Sequence, residues 1–257
     1  WMNFERRFCC HKTGRCDLPA AIAVIDEDCV RACKKTRLEA SSISDVGQPH
    51  LEKIAHQNPT RPINNEIGSK LLFISEPLKR AYEGVDIGYD EFLVLLDLLA
   101  VVRLDQNSYL DIQLHPNDNV DRWREFIEPL NQVRLSNKKL ADAIQYSDWV
   151  VGMNSMALIE ANILGAKVIC YQPNRNAVLN PVLDDIFDVC THKEKLVNFI
   201  SETIDMAVDS NKDMAALANE NVSPRLRAVL QNAMRRTVSW VSKCVERTTS
   251  SERINGD

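Results

Sequence analysis

His115-Pro116, Asn154-Ser155 and Glu160 are the residues whose types and spacing in this chain suit chemistry. Asn154 and Ser155 lie in a small polar turn, Gly152-Met153-Asn154-Ser155, between the apolar run Trp149–Val151 and an amphipathic stretch from Ser155 to Leu164. Read as strand, turn and helix, this segment brings free backbone N–H groups and the positive end of a helix dipole to the turn, which suits an anion, typically a phosphate. Read alone, the turn is a helix cap, the commoner use of Asn or Ser before a helix. His115 follows another strand-like run, where an imidazole offers a hydrogen bond or a proton to a departing oxygen. A single His is more often a satisfied structural residue. Glu160 is the only acid of the 155–164 stretch.

Apolar periodicity gives the elements that must position these groups. Ala20–Ile25 and Ile43–Gly47 read as strands, and Asp28–Lys35 and Pro49–Gln57 as helices. Residues 58–69, with two Pro, three Asn and one Gly, read as a linker. Beyond it, strands at Leu71–Ser75, Tyr109–His115, Val133–Leu135, Trp149–Val151 and Lys167–Tyr171 alternate with helices. Those helices are Tyr89–Arg103, Asp121–Glu128, Asn137–Tyr146 with Ser136 as its cap, and Ser155–Leu164. The tail from Lys193 is helical, and its last helix spans about Pro224 to Arg247, with Leu226, Val229, Leu230, Ala233, Val241 and Cys244 on one face. Alternating strands and helices predict an α/β fold: a Rossmann-like parallel sheet with right-handed crossovers and helices on both faces. Ligands of such sheets bind beyond the carboxyl ends of the strands. Those ends carry Ser75-Glu76, His115-Pro116, Ser136-Asn137, Asn154-Ser155 and Gln172-Pro173, so small polar residues and one His gather on one edge. Rossmann-like sheets in general have polar loops there.

Composition excludes some functions. A net charge of −5 gives no reason to expect nucleic acid as a partner. The longest apolar stretch, Phe92 to Leu104, is interrupted by Asp97 and is too short for a bilayer. No signal-peptide pattern opens the chain, which starts on Trp and so reads as a fragment or a processed product. Eight Cys, with Cys9, Cys10, His11 and Cys16 close together, raise zinc or disulfides. The absence of a CxxC pair favours reduced thiols instead, and no metal site. Asp26-Glu27-Asp28 matches a metal-chelating DxD pattern, but it also suits the acidic start of a helix, which is the reading adopted. No GxGxxG or P-loop lysine motif occurs. Arg225, Arg227, Arg235, Arg236, Lys243 and Arg247 make the last helix basic: a solvated face, or a contact for a membrane surface or acidic partner.

The stretch SDWVVGMNSMALIEANILGAKVICYQP resembles the C-terminal nucleotide-sugar-binding region of GT-B glycosyltransferases. It is most similar to capsule and surface-polysaccharide enzymes and to the related non-hydrolysing UDP-N-acetylglucosamine 2-epimerases. His115-Pro116 resembles the His-Pro motif of sialyl-, Kdo- and glycerophosphate-transferring members, and GQPHLEKI (Gly47–Ile54) the stretch that closes the N-terminal GT-B domain. The resemblance covers roughly residues 20 to 200. It implies that Asn154 and Ser155 take the donor phosphates, Glu160 the ribose hydroxyls, and His115 the leaving phosphate as the catalytic group. Ser75, Glu76 and Gln172 complete the expected donor site. It further implies that residues 1–57 end the N-terminal, acceptor-side domain, 58–69 link, 70–210 form the donor-binding domain and 211–257 a C-terminal helical segment. Only the last elements of the N-terminal domain are then present, and the acceptor site and usual catalytic base lie outside the chain. The implied activity is metal-independent, cofactor-free transfer of a sugar from a nucleotide sugar to a glycan or lipid-linked acceptor. The implied location is cytoplasmic, at most peripheral at the inner membrane face through the basic last helix. Nucleotide-sugar epimerisation or hydrolysis, and a non-catalytic Rossmann-like binding module, are the alternatives. Ser155-Met156 stands where the epimerase pattern has two glycines, which counts against an epimerase.

Overall fold

The computed structural model describes residues 8, 13, 15–56, 70–103, 106–206 and 228–254. The chain divides into two compact units, Trp1–Gln57 with Val222–Asp257, and Asn58–Asn221. The expected linker, and Arg225, Leu226 and Arg227, lie outside the described residues.

In the first unit, Ala21–Val24 (β1) pairs in parallel with Ser42–Asp45 (β2). Between them runs Glu27–Lys34 (α1), whose N-cap Asp26 accepts a 2.8 Å hydrogen bond from the Cys29 amide. Asp26-Glu27-Asp28 is therefore the start of a helix, with two acids in its first turn where the dipole favours them. Pro49–His56 (α2) follows β2.

The second unit holds a five-stranded, all-parallel sheet. Its strands are Lys70–Ile74 (β3), Tyr109–Gln113 (β4), Val133–Leu135 (β5), Trp149–Gly152 (β6) and Lys167–Cys170 (β7), in the order β5-β4-β3-β6-β7. The helices are Leu78–Ala81 (α3), Glu91–Val102 (α4), Val120–Ile127 (α5), Leu140–Gln145 (α6), Ala157–Ile163 (α7), Pro181–Ile186 (α8) and Lys193–Met206 (α9). This is the Rossmann-like architecture that the alternation predicts. Both faces of the sheet are covered. Leu71, Phe73, Leu110, Ile112, Trp149 and Val151 pack in one cluster with Leu95 and Leu98 of α4 and Trp123 of α5, while Leu72 and Val150 are as deeply buried. Strands buried on both faces read as continuous apolar runs, which is why they stand out in the sequence. Each such buried side chain contributes about 1.5–3 kcal/mol.

Several local expectations change. Ser136 does not cap α6: its Oγ accepts from the Lys138 amide, and α6 starts only at Leu140 because Lys139 is extended. Asp111, in the middle of β4, is buried and paired with Arg134, its register partner on β5. Short helices α3 and α8 add to the expected set; α8 has Asn180 as N-cap and Pro181 in its first turn.

The expected single last helix is broken. Residues 228–230 are helical, Asn232 takes φ +53°, and Ala233–Ile254 (α10) follows, grouped with the first unit. Val229 and Ala233 are buried, but Val241 is exposed. Arg236 is committed to Asp45 at 3.1 Å rather than left for a surface contact. Among the described residues, no helix is long and apolar enough to cross a membrane, and no cluster of His, Cys, Asp and Glu could hold a metal ion. Cys9, Cys10 and His11 lie outside those residues. Cys29, Cys33, Cys170, Cys190 and Cys244 are not in disulfides. Cys16, contrary to the expectation of reduced thiols, is disulfide-bonded.

One glycine fixes the loop that leads into α4. Gly88 has φ +90°, and a Cβ there would fall 1.8 Å from the carbonyl oxygen of Asn174. The contact is tied by Asn176, whose amide donates to Ile87 O at 3.1 Å and whose side chain donates to Asp86 at 3.0 Å. Gly84, at φ +79°, has nothing within 4 Å. Gly84→Ala should therefore cost only the backbone term of about 1–2 kcal/mol. Gly88→Ala should cost about 1–3 kcal/mol more, from overpacking. Urea denaturation of both variants checks the order, and equal losses would mean that the loop yields freely at Asn174.

Candidate functional site

The chain leaves β3 for β4 and β5 on one side, then crosses back to β6 and β7 on the other. The topological switch point therefore lies between the carboxyl ends of β3 and β6, where parallel sheets of this kind open a crevice. Ser75 and Glu76 end β3, and Gly152-Met153-Asn154-Ser155 ends β6. His115 follows β4, the other neighbour of β3. His115 and Ser155 thus follow the carboxyl ends of β4 and β6, on the same edge of the sheet.

The turn after β6 is held from several sides. Glu76 Oε2 accepts a 2.7 Å hydrogen bond from the Asn154 amide, and the Ser155 amide acts on the same carboxylate. Asn154 Nδ2 donates to the Tyr89 hydroxyl at 2.9 Å, and Asn154 Oδ1 accepts from Gln172 Nε2 at 3.2 Å. Gln172 Nε2 also donates to Met153 O at 2.8 Å, and Asn180 Nδ2 to Asn154 O at 3.2 Å. Behind Gln172, Arg175 donates to its Oε1 at 3.1 Å and bridges to Asp184 at 2.8 Å. Tyr89, Arg175 and Asn180 are not legible as site residues in the sequence. Their roles arise from contacts across the sheet edge, and only Asn180 carries a local signal, as the cap of α8.

The expected residues take different places. Glu76, Asn154 and Ser155 meet at the switch point. Gln172 is 1% exposed with both ends of its amide engaged, so it supports the turn and does not line an opening. Ser75 is equally buried, and its Oγ has no hydrogen-bond partner. Ser155 Oγ accepts from the Ala157 amide at 3.2 Å. The helix expected from Ser155 begins at Ala157, so Glu160 is its fourth residue, half-buried and about one turn beyond the polar turn. His115 is exposed, and its Nδ1 accepts from the Asn117 amide at 3.1 Å. In the neutral ring this leaves the proton on Nε2, a free-standing donor. No hydrogen bond joins His115 to the Glu76–Asn154 group.

Electrostatics single out Glu76. Burial raises its pKa to about 7, opposed by the Asn154 and Ser155 amides and reinforced by the nearby Glu91. Glu91 is itself fully buried; its Oε2 accepts from the Lys79 amide at 2.9 Å, and desolvation raises its pKa too. Burial likewise pushes the Tyr89 hydroxyl up, and the Cys170 thiol up to about 12, so both stay neutral. A cavity of about 430 Å³ is lined by Lys79, Tyr82, Asp86, Tyr89 and Asp90 among others, and it touches the group just described only through Tyr89. Chemically, the arrangement offers two backbone amides now facing a carboxylate, and an imidazole N–H on the same edge.

No family model matches the chain, and no curated protein matches it. Solved structures do. UDP-GlcNAc 2-epimerase from Neisseria meningitidis, bound to UDP-GlcNAc, matches with a TM-score of 0.54 and 14% identity over 87% of this chain and 62% of that one. The enzyme of the same name from Methanocaldococcus jannaschii, in complex with UDP-GlcNAc and UDP, matches with a TM-score of 0.53 and 13% identity over 86% and 61%. A point mutant of the S. aureus protein TarM, in a complex that includes UDP, gives a TM-score of 0.48 and 16% identity over 87% and 43%. The chain thus spans 43% to 62% of the length of these structures. The parallel sheet, its strand order and these likenesses establish a Rossmann-like α/β fold, shared with the two UDP-GlcNAc 2-epimerase structures.

Proposed function

We propose that the chain is the donor-binding part of a GT-B glycosyltransferase, which moves a sugar from a nucleotide sugar to a glycan or other surface-polysaccharide acceptor. The observation that carries the reading is the placement of His115 and the Asn154–Ser155 turn on one sheet edge, around the switch point. Transfer builds negative charge on the departing phosphate. Backbone amides and a positioned imidazole N–H can stabilise it without a metal, because they are already oriented when the charge develops. Glu160, one turn along α7, would accept hydrogen bonds from the ribose diol on this reading. A calorimetric screen with UDP-, CMP-, CDP- and GDP-sugars tests the reading: one nucleotide class should bind selectively, with EDTA making no difference. Binding of none would leave a non-catalytic module.

A second reading has its own support. The two solved structures above with the higher TM-scores are UDP-GlcNAc 2-epimerases. Conversion of a UDP-sugar to its isomer without acceptor would favour it. Ser155-Met156, in place of the two glycines of the epimerase pattern, weighs the other way.

Two substitutions separate the roles. His115→Ala should slow turnover about 100-fold or more while changing donor affinity little, since the imidazole acts mainly on charge formed in the transition state. Unchanged turnover would remove His115 from the mechanism. Glu160→Ala should weaken ribonucleotide binding roughly 5- to 150-fold, the effect of about 1–3 kcal/mol for unpaired hydroxyls. A 2′,3′-dideoxy analogue should scarcely notice the change; equal losses for both ligands would make Glu160 a structural residue.

A further inference from the structure

Glu76 has a property that donor binding by the β6–α7 turn makes consequential. Its carboxylate already occupies the amide of Asn154 at 2.7 Å, and the neighbouring Ser155 amide acts on it too. A diphosphate cannot use those amides while an ionised carboxylate sits on them, both because the donors are taken and because the two anions repel. The groups that face Glu76 give it no compensating cation. From the turn come two backbone amides, and from α4 comes Glu91, a second buried acid. Tyr89 precedes α4 and Cys170 lies on β7, and each senses the Glu76 charge. Arg175, the cation of this neighbourhood, acts on Tyr89 and Cys170 and is bound to Asp184 and Gln172. Arg122, near Glu91 at 3.8 Å, is largely exposed.

We propose that Glu76 is a built-in competitor of the donor phosphate: ionised, it holds the turn closed to anions, and an anion binds together with one proton taken up by Glu76. The proposal rests on the donor-binding reading of the turn. The sign follows from linkage. An anion placed beside Glu76 favours its protonated form, so by reciprocity protonation favours the anion. Burial has already brought Glu76 to about pH 7, so the coupling falls within the physiological range. Its own contribution to stability has the same sense. With its folded pKa raised, it is most favourable below the usual carboxylate range and is lost as pH rises through about 7.

Two measurements on the full chain test this. The first needs no ligand: amide ¹⁵N shifts of Asn154 and Ser155 between pH 5.5 and 8.5. Both should titrate with one midpoint near 7 in the wild type and stay flat in Glu76→Gln, which keeps the acceptor oxygen and removes the charge. Flat shifts in the wild type would overturn the proposal. The second is the affinity for UDP-GlcNAc, whose phosphates do not titrate in this range. It should fall by up to about 30-fold from pH 6 to pH 8.5, the limit for one linked proton with a midpoint near 7. In Glu76→Gln that extra dependence should vanish and binding at pH 8.5 should be tighter than in the wild type. Weaker binding by the variant at every pH would overturn the proposal, making Glu76 a residue that holds the turn ready for the ligand. If neither protein bound UDP-GlcNAc at any pH, the UDP reading would fail by itself, and the amide titration would still decide the role of Glu76.

Discussion

The hydrogen bond from the Asn154 amide to Glu76 joins the ends of two strands that the chain lays down 78 residues apart. The rest of the candidate site depends on that junction. β3 and β6 are neighbours only because the chain reverses its direction of winding after β5, and the reversal leaves their carboxyl ends without a covering crossover. Whatever closes the junction decides which polar groups the crevice presents. Here a carboxylate closes it, over a turn braced by Tyr89, Gln172 and Asn180. The bracing makes the turn rigid in physical terms: the Asn154 amide, carbonyl and side chain all have partners on other elements. An anion arriving there meets a preformed backbone and has to displace only one group.

Much of this is legible in the sequence, and the reasons are particular. The sheet shows because LLFI and WVV are buried on both sides, so their apolar character is continuous. The turn after β6 shows because a Gly-Met-Asn-Ser interruption is abrupt against such a run. The sequence pattern starts α4 two residues early, since Tyr89 is apolar enough to join the helical period but belongs to the loop that reaches Asn154. The α8 helix escapes the pattern although Asn180-Pro181 carries the cap and first-turn signals for it. Its six residues are too few for a period to appear.

What no local pattern could give is the chemistry of pairs. Glu76 follows a strand and so reads in the sequence as a donor-site candidate, but its bond to Asn154 and its neighbour Glu91 exist only once the sheet has formed. Gln172 looks equivalent to the other residues that follow strands; burial behind the turn makes it a brace. Asp111 fits a simple alternation until Arg134 arrives beside it on β5. In each case the residue type is plain from the sequence and its partner, distant in the chain, changes what it does.

The central claim is that the β3–β6 crevice is where a nucleotide binds. Mapping amide shift changes on titration with the nucleotide that binds tests it most directly. The account predicts that the largest changes fall on Ser75, Glu76, Asn154 and Ser155, with a smaller response at His115. Changes confined to residues away from the carboxyl ends of β3, β4 and β6 would contradict it.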